Sequence, residues 1–170
     1  MSGVDPTVGA TTIWVSHTVA GGAGSQINWY EVNTATGALA QSGTVSSRSL
    51  YLLNSGISTD RTCTATTCAH GAAMVLGFTT TSGSAFPAVQ VVSKIGSGTT
   101  SGFVLIKQST TTDRNFSCSP CRWGDYGGAT PDPAASLTAA TGAVWLSNQW
   151  TTGGSSASSG DQTWNWQATP

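Results

Sequence analysis

Few residues in this chain are equipped for acid–base or nucleophilic chemistry. Glu31 is the only glutamate, and His17 and His70 are the only histidines among 170 residues. A hydrolase built on two carboxylates needs them roughly 5–10 Å apart. Asp125 and Asp132 share one segment, but the pattern puts the first on a strand and the second in an Asp-Pro turn. Glu31 follows Trp29-Tyr30 at an alternating strand position, where it reads equally well as a solvated edge residue. No Gly-x-Ser-x-Gly elbow accompanies the histidines, so both are expected to be packed or surface residues. No catalytic residue is assigned, and a non-catalytic chain is the expectation.

The cysteines form two local pairs, Cys63 with Cys68 and Cys118 with Cys121. Short loops closed in this way suit a disulfide-bonded secreted chain. Half a zinc ribbon at Cys118-Ser119-Pro120-Cys121 and free thiols are the alternatives, but the other pair has four intervening residues rather than two. A redox role would need a βαβ setting, and no helical period lies nearby. The aspartates of the Asp turns, Asp5, Asp60 and Asp132, are expected to be turn-formers that bond their own backbone. No metal or cofactor is expected, calcium held by such turns being the one alternative.

Tryptophan carries the better functional hint. Trp29, Trp150, Trp164 and Trp166 fall near strand ends or loops, where exposed rings stack on sugar faces or fill a protein interface. Packing between sheets is the competing reading. Trp14 and Trp145 occupy similar strands, Thr12 to His17 and Ala143 to Asn148, and are expected in the core.

The elements that position these residues are strands. No window shows a 3.6-residue apolar period, and β-branched runs alternate with glycine-rich turns. Cys121 to Pro133 (CRWGDYGGATPDP) begins an order of strand, Asp-Pro turn, small-residue loop and Trp-bearing strand, which also occurs at the N-terminus. A weaker copy lies between, from Ser58-Thr59-Asp60 to Met74 through Phe78. The repeats run at approximately 1–47, 48–110 and 111–170 within a single domain. Strands are expected near 2–5, 12–19, 26–32 and 38–45, then 49–57, 72–79, 88–95 and 102–108, then 123–130, 143–149 and 163–168. Such repeats are the sign of antiparallel four-stranded propeller blades. About three blades are expected, part of a β-propeller or a ring completed by oligomerisation.

Charged residues make up 8% of the chain and the formal net charge is −1, which argues against a nucleic-acid or anionic-membrane surface. No stretch approaches the roughly 18 apolar residues of a membrane span. The start Met1-Ser2-Gly3-Val4-Asp5 has no basic or long apolar run, as expected of a mature secreted domain or one cut from a larger chain. Seven tryptophans supply the apolar surface that disordered chains lack.

Arg122-Trp123-Gly124-Asp125-Tyr126-Gly127-Gly128, then Asp132-Pro133, a Val-Trp strand and Trp164-Asn165-Trp166, resembles a blade signature of secreted bacterial and archaeal proteins with sialidase-like β-propellers. The resemblance implies a blade motif of Arg122, Trp123, Asp125, Tyr126 and Asp132, and the residues themselves read as structural, Asp125 capping backbone amides and Arg122 laid over Trp123 as a cation–π pair. It departs from the family in its Trp-x-Trp spacing and lacks the Asp-box turn. A sialidase also needs three arginines for a carboxylate, a tyrosine nucleophile, a glutamate and an aspartate. Here Arg48, Arg61, Arg114 and Arg122 are the only arginines, beside the single Glu31. The expected role is therefore a non-catalytic extracellular module, glycan- or protein-binding or part of a larger surface protein. A sialidase-like hydrolase fragment and a self-assembling structural unit are the alternatives, and self-association or further blades of a parent protein are the expected partners.

Overall fold

The computed structural model describes residues 2–60, 62–63, 68–112, 123–124, 126–132, 142–152 and 161–170, with backbone alone for 2–3, 62–63, 68–70 and 161–162. Arg61, Arg114, Cys118, Cys121, Arg122 and Asp125 lie outside the described residues.

The fold is all-β, and its strands lie close to where alternation places them. β1 (Ser2–Asp5), β2 (Ala10–Gly21), β3 (Gly24–Asn33) and β4 (Leu39–Val45) form a first sheet, hydrogen-bonded in chain order. The second sheet is β5 (Tyr51–Thr59), β8 (Ala73–Ser82), β9 (Ala85–Ile95) and β10 (Val104–Gln108). Between β5 and β8 runs a small hairpin the sequence reading did not contain, β6 (Thr62–Cys63) and β7 (Cys68–His70). Its backbone register sets Cys63 opposite Cys68. β11 (Gly128–Pro131), β12 (Val144–Thr151) and β13 (Asp161–Ala168) make the third sheet. Every pairing is antiparallel, in the up-and-down order of propeller blades.

The three sheets stack face to face. Because strand side chains alternate, the second sheet has two faces to bury, and β8 is buried from Ala73 to Thr80. Met74, Leu76 and Phe78 enter one core with Trp14, Ile27 and Trp29 of the first sheet. Val75 joins a second core with Val144, Leu146, Trp150 and Trp166 of the third. Gly77 points the same way as Val75, and a Cβ there would lie 2.6 Å from Leu146 Cδ2 and 3.1 Å from the Trp166 ring.

Each sheet opens on the same device, an aspartate at the end of its first strand facing an alanine that begins or precedes the second. Asp5 pairs with Ala10, the Asp60 amide donates to the Ala73 carbonyl at 3.0 Å, and the Asp132 amide donates to Ala143 at 2.8 Å. Asp5 does act as the expected turn-former, since Oδ1 accepts from the Thr7 amide at 2.6 Å. The residues that directly follow Asp60 and Asp132 lie outside the described ones, and both carboxylates also reach other strands. Asp60 accepts from the amides of Ala73 (3.1 Å) and Gly142 (3.3 Å), bridging second and third sheets. Asp132 accepts from Trp145 Nε1 at 2.8 Å and from the Gln167 amide. Both are buried, and a buried carboxylate must find donors, here across strands and sheets.

Gly77→Ala is expected to cost about 1–3 kcal/mol through overpacking. Gly83→Ala, where an added Cβ meets nothing within 4 Å, is the near-neutral control. Urea denaturation of both variants checks the pair.

Candidate functional site

The glycine-rich motif works as a docking element between sheets. Asn54 sits at a bulge in β5 with φ of 52°, and its side-chain amide donates to the carbonyls of Trp123 (2.6 Å) and Gly124 (2.8 Å). That grip takes the backbone of Trp123-Gly124 out of pairing, so β11 starts at Gly128 rather than at the expected Trp123. Gly127 and Gly128 then lie directly on the bulge: a Cβ on Gly127 would be 2.6 Å from the Asn54 carbonyl, and one on Gly56 would be 2.9 Å from the Gly128 backbone. Tyr126 projects into solvent.

Trp123 overhangs a hollow of about 280 Å³ on the second sheet. Leu53, Ala85 and Pro87 form its apolar wall, and Thr79, Thr81, Ser82 and Thr112 bring hydroxyls. None of these lining side chains is charged. Trp123 Nε1 and Thr79 Oγ1 are both buried without a hydrogen-bond partner among the described residues, which native interiors rarely leave uncorrected. The sequence motif contained Trp123 but not the hydroxyl wall, of which Thr79, Thr81 and Ser82 come from a different repeat.

A second trough, about 580 Å³, lies on the outer face of the third sheet, lined by Gly128, Ala129, Thr130, Trp145, Leu146, Ser147 and Asn165. Trp145 was expected in the core, yet it is 43% exposed. Counted from the paired alanines, Trp14 is four residues on and Trp145 only two, so they share a face but not a position. In the first sheet that face is covered by the second sheet; in the third, no other sheet among the described residues covers it at Trp145.

The four tryptophans proposed for binding divide differently. Trp29 and Trp166 are buried in the inter-sheet cores, and so is most of Trp150. Those three give no open face to a ligand, because strand alternation turns them inward. Trp164 is partly exposed and packs edge-on against Trp150 at 6.1 Å, with Lys107 Nζ 4.1 and 4.4 Å from the two rings. That cation–π cluster was not legible from spacing. His17 is exposed beside Tyr30, and His70 belongs to β7.

Glu31 is not an edge residue: it and Asp5 are both 0% exposed. Glu31 Oε2 accepts from Gln41 Nε2 at 2.6 Å, and Gln41 Oε1 accepts from Lys94 Nζ at 2.6 Å, a relay from the first sheet to the second. Lys94 also donates to the Gly96 carbonyl and lies 5.8 Å from the Trp29 ring. The other Glu31 oxygen is set against Asp5 and Thr12. Burial pushes the Glu31 carboxyl above its ordinary range; the bonds from Gln41 and Thr12 oppose this, and the neighbouring Asp5 adds to it. Burial likewise lowers Lys94, while the charges of Glu31 and Asp5 pull it back up. The cluster bridges two sheets and presents no carboxylate to solvent.

Compared with protein-family models, with curated proteins and with solved structures, the chain matches none.

Two outcomes follow from these contacts. Asn54→Gly keeps the left-handed backbone and removes only the clamp, so it is expected to cost about 1–3 kcal/mol by denaturant titration. Because the folded pKa of Glu31 is raised, its contribution to stability is full below the unfolded pKa and is lost as pH rises through the folded one. Glu31→Gln should therefore lose less stability than the native chain between pH 4 and 8, read as denaturation midpoints.

Proposed function

We propose that the chain is a non-catalytic, secreted propeller module, of the sialidase-like kind its RWGDYGG stretch resembles, and that it binds a neutral glycan in the hollow beneath Trp123. The observation that carries this reading is the lining itself: one indole, an aliphatic wall and four hydroxyl side chains, with no charge among the described residues. A pyranose has an apolar face for the ring and hydroxyls for the threonines and serine. Trp123 Nε1 and Thr79 Oγ1, which have no hydrogen-bond partner among the described residues, add hydrogen-bonding capacity beside the hollow. A sialoside would bring a carboxylate, for which this lining has no arginine among the described residues. The burial of Glu31 and Asp5 also favours binding over hydrolysis, since neither carboxylate reaches solvent. Secretion is supported by the low charge and by the two cysteine pairs, which we read as local disulfides.

Titration of the intact chain with a panel of neutral mono- and oligosaccharides, followed by tryptophan fluorescence and calorimetry, is expected to find a saturable ligand. Thr79→Val should weaken it by about tenfold, the worth of one hydrogen bond, and Trp123→Ala should abolish it. Absence of binding across the panel, or binding that both variants leave intact, overturns the reading. Turnover of a fluorogenic sialoside, lost in Glu31→Gln, would replace it with the hydrolase.

A further inference from the structure

Side-chain parity assigns each sheet face a job. Counting from the alanine that faces the aspartate, even positions of β2 (Thr12, Trp14) point into the second sheet, and even positions of β8 (Val75, Gly77) point into the third. Odd positions of β8 (Met74, Leu76) cover the first sheet, and odd positions of β12 (Val144, Leu146) cover the second. One rule thus generates both internal interfaces: an even face is covered by the odd face of the next sheet.

The same rule leaves two faces over. The even face of β12 at Trp145 and Ser147, with its β13 neighbours Asn165 and Gln167, is covered by no other sheet among the described residues; beyond it Gln149 meets Gly124. The odd face of β2 exposes Ile13 (38%) and Val15 (43%), beside Val4 and Leu39. Neither of these outer faces carries a Lys, Arg, Asp or Glu at the positions named. What the first lacks is an apolar odd face to lie on it, and what the second lacks is an even face to cover. Trp145 stands on the face that holds Trp14 in the first sheet, where the ring is only 1% exposed.

We propose that the two faces bind each other between two copies of the chain, the Trp145 face of one copy on the Ile13–Val15 face of the other, so that six sheets close into a ring. The contact repeats the geometry of the two interfaces within the chain, and closure forms it twice, once in each direction. It is independent of the hollow beneath Trp123, which lies between sheets of one copy.

Sedimentation and light scattering of the intact chain over a concentration series test this. A twofold mass is expected, with a blue shift of tryptophan emission on association. Ser147→Arg charges one face without disturbing the Trp145–Asp132 bond, and Val15→Asp charges the other. Each variant alone should be monomeric with an unchanged circular dichroism spectrum; Trp145→Lys and Ile13→Lys serve if either misfolds. Mixing the two monomeric variants should restore a dimer, because in the mixed pair one interface is native on both sides. A native chain that stays monomeric overturns the proposal, as does a dimer indifferent to Ser147→Arg, which would mean that first-sheet faces pair with each other. A ladder of masses beyond two copies would overturn closure at six.

Discussion

Burial of the second sheet on both faces is the constraint on which the rest of the molecule depends. β8 sends Met74, Leu76 and Phe78 to one side and Val75, Gly77 and Thr79 to the other, so its ten residues belong to two cores at once. Among the described residues, neither outer sheet has a comparable double layer. Size is set tightly at such a strand, and the absence of a side chain at Gly77 is what lets Leu146 and Trp166 approach.

Stacked sheets also need to be held in register, and polar groups do that here. Asp60 ties the second sheet to Gly142 at the start of the third, and Asn54 grips the Trp123-Gly124 backbone from a bulge that would otherwise leave β5 with a weakened edge. Between the first two sheets the link is Lys94–Gln41–Glu31, with Asp5 and Thr12 behind it. Two carboxyls and one ammonium are enclosed in that interface. The raised Glu31 carboxyl is the physical consequence, since burial disfavours its charged form and the neighbouring Asp5 adds to this.

The hollow beneath Trp123 results from the same stacking. The second sheet extends past the third, and the exposed end of its face is roofed by the segment that Asn54 holds. Hydroxyl side chains at that end, Thr79 and Thr81, continue the apolar row of Val75 in a polar register, so that a core face becomes the wall of a hollow without a break in the strand.

Much of the architecture could be read from sequence because it is local. Alternation marks strands, Gly and Asn mark turns, and the recurring aspartate marks where each sheet begins, so the eleven strands of the three sheets and their chain-order pairing were legible. Facing is not local. VWLSNQW reads as one half-buried strand whichever neighbour it has, and only the stacked structure decides that Val144 and Leu146 are covered while Trp145 is not. The same holds for Glu31, whose strand position allowed an exposed edge until the second sheet brought Lys94 across it, and for Trp29 and Trp166, whose rings turn inward. Strand alternation by itself determined which residues share a face; which faces meet, and so which residues can reach a ligand or a partner, was decided by the packing of one sheet on the next.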